Sequence, residues 1–304
     1  MKILVTGSSG LVGTALVRAL GRDGHMVCRL MRPESAANDE VKDGFNVAWN
    51  PATGELGGAG VAPDAVVNLA GASIADGRWT AERKAVLRAS RIDTTRALVE
   101  ALAKMNARPS VLVSASAIGI YGDRGDELLT EESPAGADFL AGLARDWEAA
   151  ALKAEALGIR VVLARFGIIL SREGGALTKM LLPFKLGAGG RLGPGQQWMS
   201  WVTLEDVLGI LRMAIEKVAV RGAVNVVAPQ PVKNVEFTKV LAKALHRPAL
   251  FPAPAFALRL ALGEMADALL LSSQRVAPQR LEMAGYRFLH PELSAALGAI
   301  LQGD

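Results

Sequence analysis

The sequence predicts an α/β fold built on a doubly wound parallel sheet, with a smaller, mainly helical lobe in its second half. Three observations carry this. The chain opens on a short apolar run, Lys2-Ile3-Leu4-Val5, that passes at once into a glycine turn and then into helically spaced Leu11, Ala15, Leu16, Ala19 and Leu20. Apolar strand-like runs then alternate with helical periods as far as residue 166. From Ser171 onward the texture becomes glycine-rich and helical. A first domain is expected over residues 1–170 and a substrate lobe over 171–304, with one late strand, near 224–227, as a candidate to return to the main sheet.

The opening turn reads Thr6-Gly7-Ser8-Ser9-Gly10-Leu11-Val12-Gly13. Gly7 permits a tight turn, Gly10 lets backbone approach a pyrophosphate, and Gly13 lets helix and strand pack closely. The phosphate then meets free N–H groups around Ser9, Leu11 and Val12, so a bound dinucleotide is expected. Gly24 ends the helix, and residues 26–32 form the second strand. An NAD site calls for a carboxylate at the end of this strand, but residues 24–33 contain no acid and offer Arg29 and Arg32 instead. Arg32, at the carboxyl end, is the better ligand for a 2′-phosphate, which points to NADP. The competing reading is a surface arginine with Glu34 taking the ribose.

Residues 45–49 read as a third strand, followed by a Gly/Pro-rich loop. Residues 65–71 form a buried parallel strand ending in Leu69, Ala70 and Gly71, small enough at its carboxyl end for backbone to approach the cofactor. Residues 79–104 are helical in period, with Val86, Ile92, Leu98, Val99 and Leu102 inward and Arg91 polar near the middle. The fifth strand, 110–114, runs into Ala115-Ser116-Ala117-Ile118-Gly119-Ile120-Tyr121, which places hydroxyls at a strand end. A helix over 138–157 and a strand over 160–166 follow.

In the second half, residues 187–198 combine glycines with Trp198, a composition suited to a substrate lid. Thr203-Leu204-Glu205-Asp206 is a capping box that starts a helix over 204–217. Residues 234–301 are mostly helical, broken at Pro248, Pro252, Pro254 and Pro278. The most apolar stretch, 252–271, is interrupted by Arg259, Glu264 and Asp267 and reads as packed helix, not a membrane span.

Composition narrows the function classes. With 304 residues, 51% hydrophobic and 21% charged, the chain can bury one large core or two smaller ones. Mean hydropathy is +0.27 and the pI about 9.3, yet the net charge is only +4, and no basic stripe suggests a nucleic-acid partner. Cys28 is the sole cysteine, which excludes an intramolecular disulfide and fits a buried thiol in a reducing compartment. The first apolar run is too short for a signal peptide, so a cytoplasmic protein is expected. His25, His246 and His290 are too dispersed for a metal cluster, and the sequence leaves open a monomer or a homodimer.

Taken together, the glycine turn, Asn68-Leu69-Ala70-Gly71, Ser90-Arg91-Ile92-Asp93, Ser114-Ala115-Ser116, Trp147-Glu148, Gln197-Trp198-Met199-Ser200-Trp201, Arg247-Pro248 and Gly285-Tyr286 resemble the extended short-chain dehydrogenase/reductases, specifically the epimerase family branch, sometimes labelled nucleoside-diphosphate-sugar epimerase. The resemblance spans nearly the whole chain. It implies a Rossmann domain, a nicotinamide cofactor and a second lobe that binds a small substrate.

The extended family works through a YxxxK pair, whose lysine lowers the tyrosine's pKa for proton transfer. This chain has no such pair: Gly125 follows Tyr121 by four and His290 follows Tyr286 by four. Aligning the glutamate that usually follows the motif with Glu148 puts Leu140 in the tyrosine's place and Ala144 in the lysine's. The family's helix asparagine corresponds to Arg91, read as a grip on a cofactor phosphate or ribose, and its strand-end serine to Ser114 or Ser116. Ser116 is then the candidate to orient a substrate oxygen and Tyr121 the candidate proton donor, although the sequence favours a structural tyrosine closing the loop after the fifth strand. Trp198 and Trp201 are read as pocket lining or as lobe packing. Two functions follow: an NADP-dependent oxidoreductase or epimerase with non-standard chemistry, and an NADP(H) sensor without turnover.

Overall fold

The computed structural model describes residues 1–33, 44–56 and 62–302. Strands β1 (Lys2–Thr6), β2 (Met26–Met31), β3 (Gly44–Asn50), β4 (Glu55–Leu56), β5 (Ala65–Asn68), β6 (Val111–Ala117), β7 (Arg160–Phe166) and β8 (Gly222–Val226) form one sheet in the order β8-β7-β6-β5-β1-β2-β3-β4. All pairings are parallel except that of β4 on β3. From β1 the chain winds outward through β2 and β3, then returns to β5 on the other side of β1 and winds outward again. The carboxyl ends of β1 and β5 therefore flank a topological switch point, where open α/β sheets bind ligands.

Strand alternation divides the core into two layers. Ile3, Val5, Val27, Val67, Val113 and Val162 pack against helix α1 (Leu11–Arg22) and Leu211 of a later helix. Leu4, Cys28, Val66, Leu112 and Val161 face the other way, toward Leu98, Leu102 and Ala151. Burial on both faces explains why these strands read as nearly continuous apolar runs, each fully buried Val or Leu contributing about 1.5–3 kcal/mol. The Cys28 thiol lies in the second layer, where burial pushes its pKa up.

The expected helix over 79–104 is three segments: α2 (Ala81–Arg88), a π-helical turn (Ala89–Asp93) and α3 (Thr94–Ala103). The wide turn inserts extra chain and rotates α2 out of phase with α3. Val86, expected inward, is exposed, and Leu87 is the buried residue of α2. Helices α4 (Phe139–Leu152), α5 (Gly175–Lys185) and α6 (Leu204–Glu216) follow, then α7 (Asn234–Ala244), α8 (Ala255–Leu262) and α9 (Leu293–Leu301).

The boundary expected at residue 170 is crossed by the chain: α6 packs on the first layer and β8 pairs with β7 at the sheet edge. The lobe itself is built on Leu170, Leu177, Phe184, Met199, Trp201, Phe237, Leu241, Leu293 and Leu297. The stretch 252–271 is not packed along its length, since α8 buries none of its residues and leaves Phe256 and Leu260 exposed. No helix among the described residues is long and apolar enough to cross a membrane.

Candidate cofactor and substrate site

The glycine loop joins β1 to α1 at the switch point. Gly7 adopts φ +64°, and a Cβ there would lie 2.4 Å from the Leu69 carbonyl oxygen. A Cβ on Gly13 would lie 2.1 Å from the Gly7 oxygen, so helix and loop touch backbone to backbone. Both glycines are required by the fold. Gly10 differs, with an ordinary φ of −77° as the N-cap of α1, and its Cβ would meet nothing nearer than the Gly7 oxygen at 3.4 Å.

The start of α1 has no capping side chain and no acid in its first turn. By contrast, α2, α4 and α6 are each capped by a hydroxyl or carboxylate, from Thr80, Asp138 and Thr203. A bare, positively polarised helix end facing a glycine cradle fits the pyrophosphate of a dinucleotide.

Beside the loop, the Arg29 Nε donates to the Ser8 Oγ at 3.4 Å. Arg32 follows β2 and is exposed. Glu34, the alternative ribose ligand, lies outside the described residues.

The floor at the β1 and β5 ends is held from beneath by a residue that the motif reading passed over. The Thr6 Oγ1 donates to the Asn68 Oδ1 at 2.7 Å and accepts from the Leu69 and Ala70 amides at 3.1 and 3.2 Å. Those two amides are thereby spent, so Leu69 and Ala70 offer the strand end their main chain and not N–H donors. Asn68 donates onward to Thr95 Oγ1 and Ser114 Oγ at 2.9 and 3.2 Å, and the Trp147 indole also donates to Thr95. The signal was present: a threonine before the first glycine, in register with Asn68 and so with Ser114.

This network corrects the expectation for Ser114. Its side chain is fully enclosed and held by Asn68, so its hydroxyl supports the floor from below instead of meeting a cofactor. Ser116 and Tyr121 require the same correction. Ser116 is only 2% exposed and donates to the Glu148 Oε1 at 2.6 Å. Tyr121 is 0% exposed; its hydroxyl donates to the Asn225 Oδ1 at 2.6 Å and accepts from Arg165 at 2.9 Å. Burial raises the phenol's pKa, against the lowering pull of Arg165. Neither hydroxyl faces the cleft, and the structural reading of Tyr121 fits its surroundings.

Leu140, which the resemblance pairs with the family's tyrosine, lies at the start of α4, its Cβ 3.4 Å from where a Cβ on Gly119 would lie. Ala144, one turn on, is buried with Ile118, Ile120, Tyr121 and Val227. Trp201 is packed in the lobe core, donating to the Gln230 carbonyl, while the Trp198 indole donates to Asp126 and lies beneath Arg275. The glycine-rich segment expected as a lid is tied to the lobe by a Leu192–Ala253 bridge and by Gln197 bonds to the Leu192 and Leu270 carbonyls.

Arg91 sits in the π turn with its head against the strand end. A Cβ on Gly71 would lie 3.2 Å from the Arg91 Cζ. The guanidinium donates to the Ala72 and Leu87 carbonyls at 3.0 and 3.3 Å and lies 5.3 Å from the Trp147 ring centroid. Burial, and then the charge of Arg83, bring its pKa down to about 10, so it remains cationic at neutral pH. Among the described residues, no group of histidines, cysteines or carboxylates could hold a metal ion.

Comparison with known proteins agrees with this geometry. Residues 3–227 match the NAD dependent epimerase/dehydratase family, and residues 253–300 match a domain of unknown function, DUF1731. Epimerase family protein MT2273 of Mycobacterium tuberculosis is 43% identical over 297 residues, covering 97% of this chain and 96% of that protein. Epimerase family protein YfhF of Bacillus subtilis is 40% identical over 309 residues, covering 99% and 98%. The crystal structure of human epimerase family protein SDR39U1 (isoform 2) with NADPH superposes with a TM-score of 0.89 at 35% identity, covering all of both chains. The switch-point glycine loop, the parallel sheet and these matches along both parts of the chain establish that it belongs to the NAD dependent epimerase/dehydratase family, in the branch of epimerase family proteins that carry this C-terminal domain.

Proposed function

We propose that the protein binds NADP(H) at the switch point and acts as an NADP-dependent oxidoreductase or epimerase on a small substrate, by chemistry that does not use a tyrosine–lysine pair. Gly10 carries the cofactor reading. Nothing in its backbone angle or its surroundings within the chain requires glycine, so the space it leaves suits a ligand. The pyrophosphate would lie on the amides around Ser9, Leu11 and Val12, between Gly7 and Gly13. Arg32, with Arg29 beside it, would take the 2′-phosphate on the β2 side, and the human relative crystallised with NADPH supports that choice. Leu69, Ala70 and Gly71 would form the wall along the ribose and nicotinamide, with Arg91 against its far end.

When bound, the nicotinamide would supply a hydride donor or acceptor. The residues near the ends of β5 and β6 provide shape and positive charge: Leu140 gives an apolar surface in place of a phenol, and Arg91 offers a guanidinium to a developing oxyanion. A second reading, a sensor that binds NADP(H) without turnover, draws support from the enclosure of Ser116 and Tyr121.

Calorimetric titration tests the cofactor assignment. NADPH should bind more tightly than NADH, and Arg32→Ala should weaken NADPH by about tenfold, close to 1.4 kcal/mol, while leaving NADH unchanged. Equal affinities for the two cofactors would contradict the assignment. Incubation with NADPH and a metabolite extract separates the two functions. Consumption of reduced cofactor identifies an enzyme; its absence, with clearly different affinities for NADP⁺ and NADPH, identifies a sensor.

A further inference from the structure

We propose that Arg83 and Arg91 together form a receptor for an anionic group, a carboxylate or a phosphate, carried by the substrate. The inference rests on the cofactor reading above for the position of the cleft, and it names the chemical class of what enters it. The two arginines lie on successive stretches of one bent helix, in α2 and in the π turn, and converge on the segment after β5. Arg83 donates to the Ser73 carbonyl and Arg91 to the neighbouring Ala72 carbonyl. They are close enough that the charge of one depresses the pKa of the other.

Two like charges so placed repel, and burial of Arg91 adds a desolvation cost. Among the described residues, neither has a carboxylate within salt-bridge distance. The nearby acids are engaged first by others: Asp146 by Arg88, Glu264 by Lys84, and Asp76 by Ser73 and Lys179, with Arg83 acting on Asp76 only through the weakest of its charge contacts. The Arg83 Nε is enclosed and has no hydrogen-bond partner. Carbonyls and the Trp147 ring hold the guanidiniums in place without pairing either with a carboxylate. A planar fork of donors fixed in this way matches the oxygens of a carboxylate or phosphate.

Position distinguishes this anion from those of the cofactor. Arg29 belongs to β2 and Arg32 follows it, and the bare end of α1 follows β1. Arg91 lies against Gly71 beyond β5 and over Trp147, on the side of the sheet toward β6. The strands thus present three cationic stations in order. The first two account for the 2′-phosphate and the pyrophosphate, and the third stands at the end where the substrate meets the nicotinamide.

The test uses the full chain saturated with NADPH, so that the cofactor's own phosphate stations are filled, titrated calorimetrically with inorganic phosphate and, separately, with malonate. At least one anion should bind the wild type, and Arg83→Gln should weaken it by about tenfold or more, with Arg83→Lys intermediate because it keeps charge but loses the fork. NADPH affinity and melting temperature should stay at wild-type values in both variants. The proposal is overturned if neither anion binds the wild type, if Arg83→Gln leaves anion affinity unchanged, or if NADPH affinity falls in step with it, which would make Arg83 a cofactor ligand. Failure of the wild type to bind NADPH would count against the cofactor reading, and anion binding to the free protein would then be measured on its own.

Discussion

The Glu148 carboxylate accepts from Ser116 at 2.6 Å and from Arg165 at 2.8 and 2.9 Å, and Arg165 passes on to the Tyr121 hydroxyl. Burial alone would lower the pKa of Arg165, but bonds and charge from Glu148 and Tyr121 outweigh it and raise the value above that of ordinary arginine. The pair is about 8% and 10% exposed at the side chains, so removing one member leaves a buried charge with little water to compensate it. Glu148→Ala should therefore destabilise the fold by about 3–5 kcal/mol, measured by urea unfolding. A loss under about 1 kcal/mol, typical of an exposed pair, would show that the network is solvated. This explains why hydroxyls at a strand end misled the sequence reading. Ser114, Ser116 and Tyr121 are placed by β6 as expected, but whether a hydroxyl faces a cleft or a buried partner depends on Asn68, Glu148 and Asn225, far away in sequence.

At the scale of elements, the sequence revealed most where periodicity is local. Continuous apolar runs located β1, β2 and β7 within a residue or two and the start of β5, whose end was read three residues too far, and the capping box located α6. It failed where one element changes phase. The π turn after α2 cannot be read from apolar spacing, and Val86, expected inward, is exposed while Ile92, Leu98 and Leu102 are inward as expected. The same turn sets Arg91 against Gly71. Helix α4 carries Leu140 and Ala144, the positions that the sequence resemblance pairs with the family's tyrosine and lysine. Ala144 is buried among Ile118, Ile120 and Tyr121, so Ala144→Lys should cost about 1–3 kcal/mol from overpacking, with desolvation of the ammonium in addition. The double variant Leu140→Tyr/Ala144→Lys should accordingly melt below wild type; a stable double variant would show that room for the pair remains.

Across the whole molecule, the sheet order brings the ends of β1, β5 and β6 to one edge, and the chain returns through α6 and β8 to complete the layer that supports it. This arrangement makes the switch point a property of the fold, whereas Gly10 is under no such constraint from the chain and, in the function proposed, makes room for the cofactor. The three loop glycines can therefore be separated by experiment. Gly13→Ala drives a methyl into the Gly7 carbonyl and should destabilise by about 1–3 kcal/mol. Gly10→Ala meets no such obstacle, and its melting temperature should remain within about 2 °C of wild type, the shift expected for under 1 kcal/mol in a chain of this size. The most direct measurement is the NADPH affinity of that Gly10→Ala variant by calorimetry. A stable protein that has lost affinity by about tenfold or more is the result expected for a methyl in the pyrophosphate's place, and wild-type affinity would contradict the placement of the cofactor at this loop.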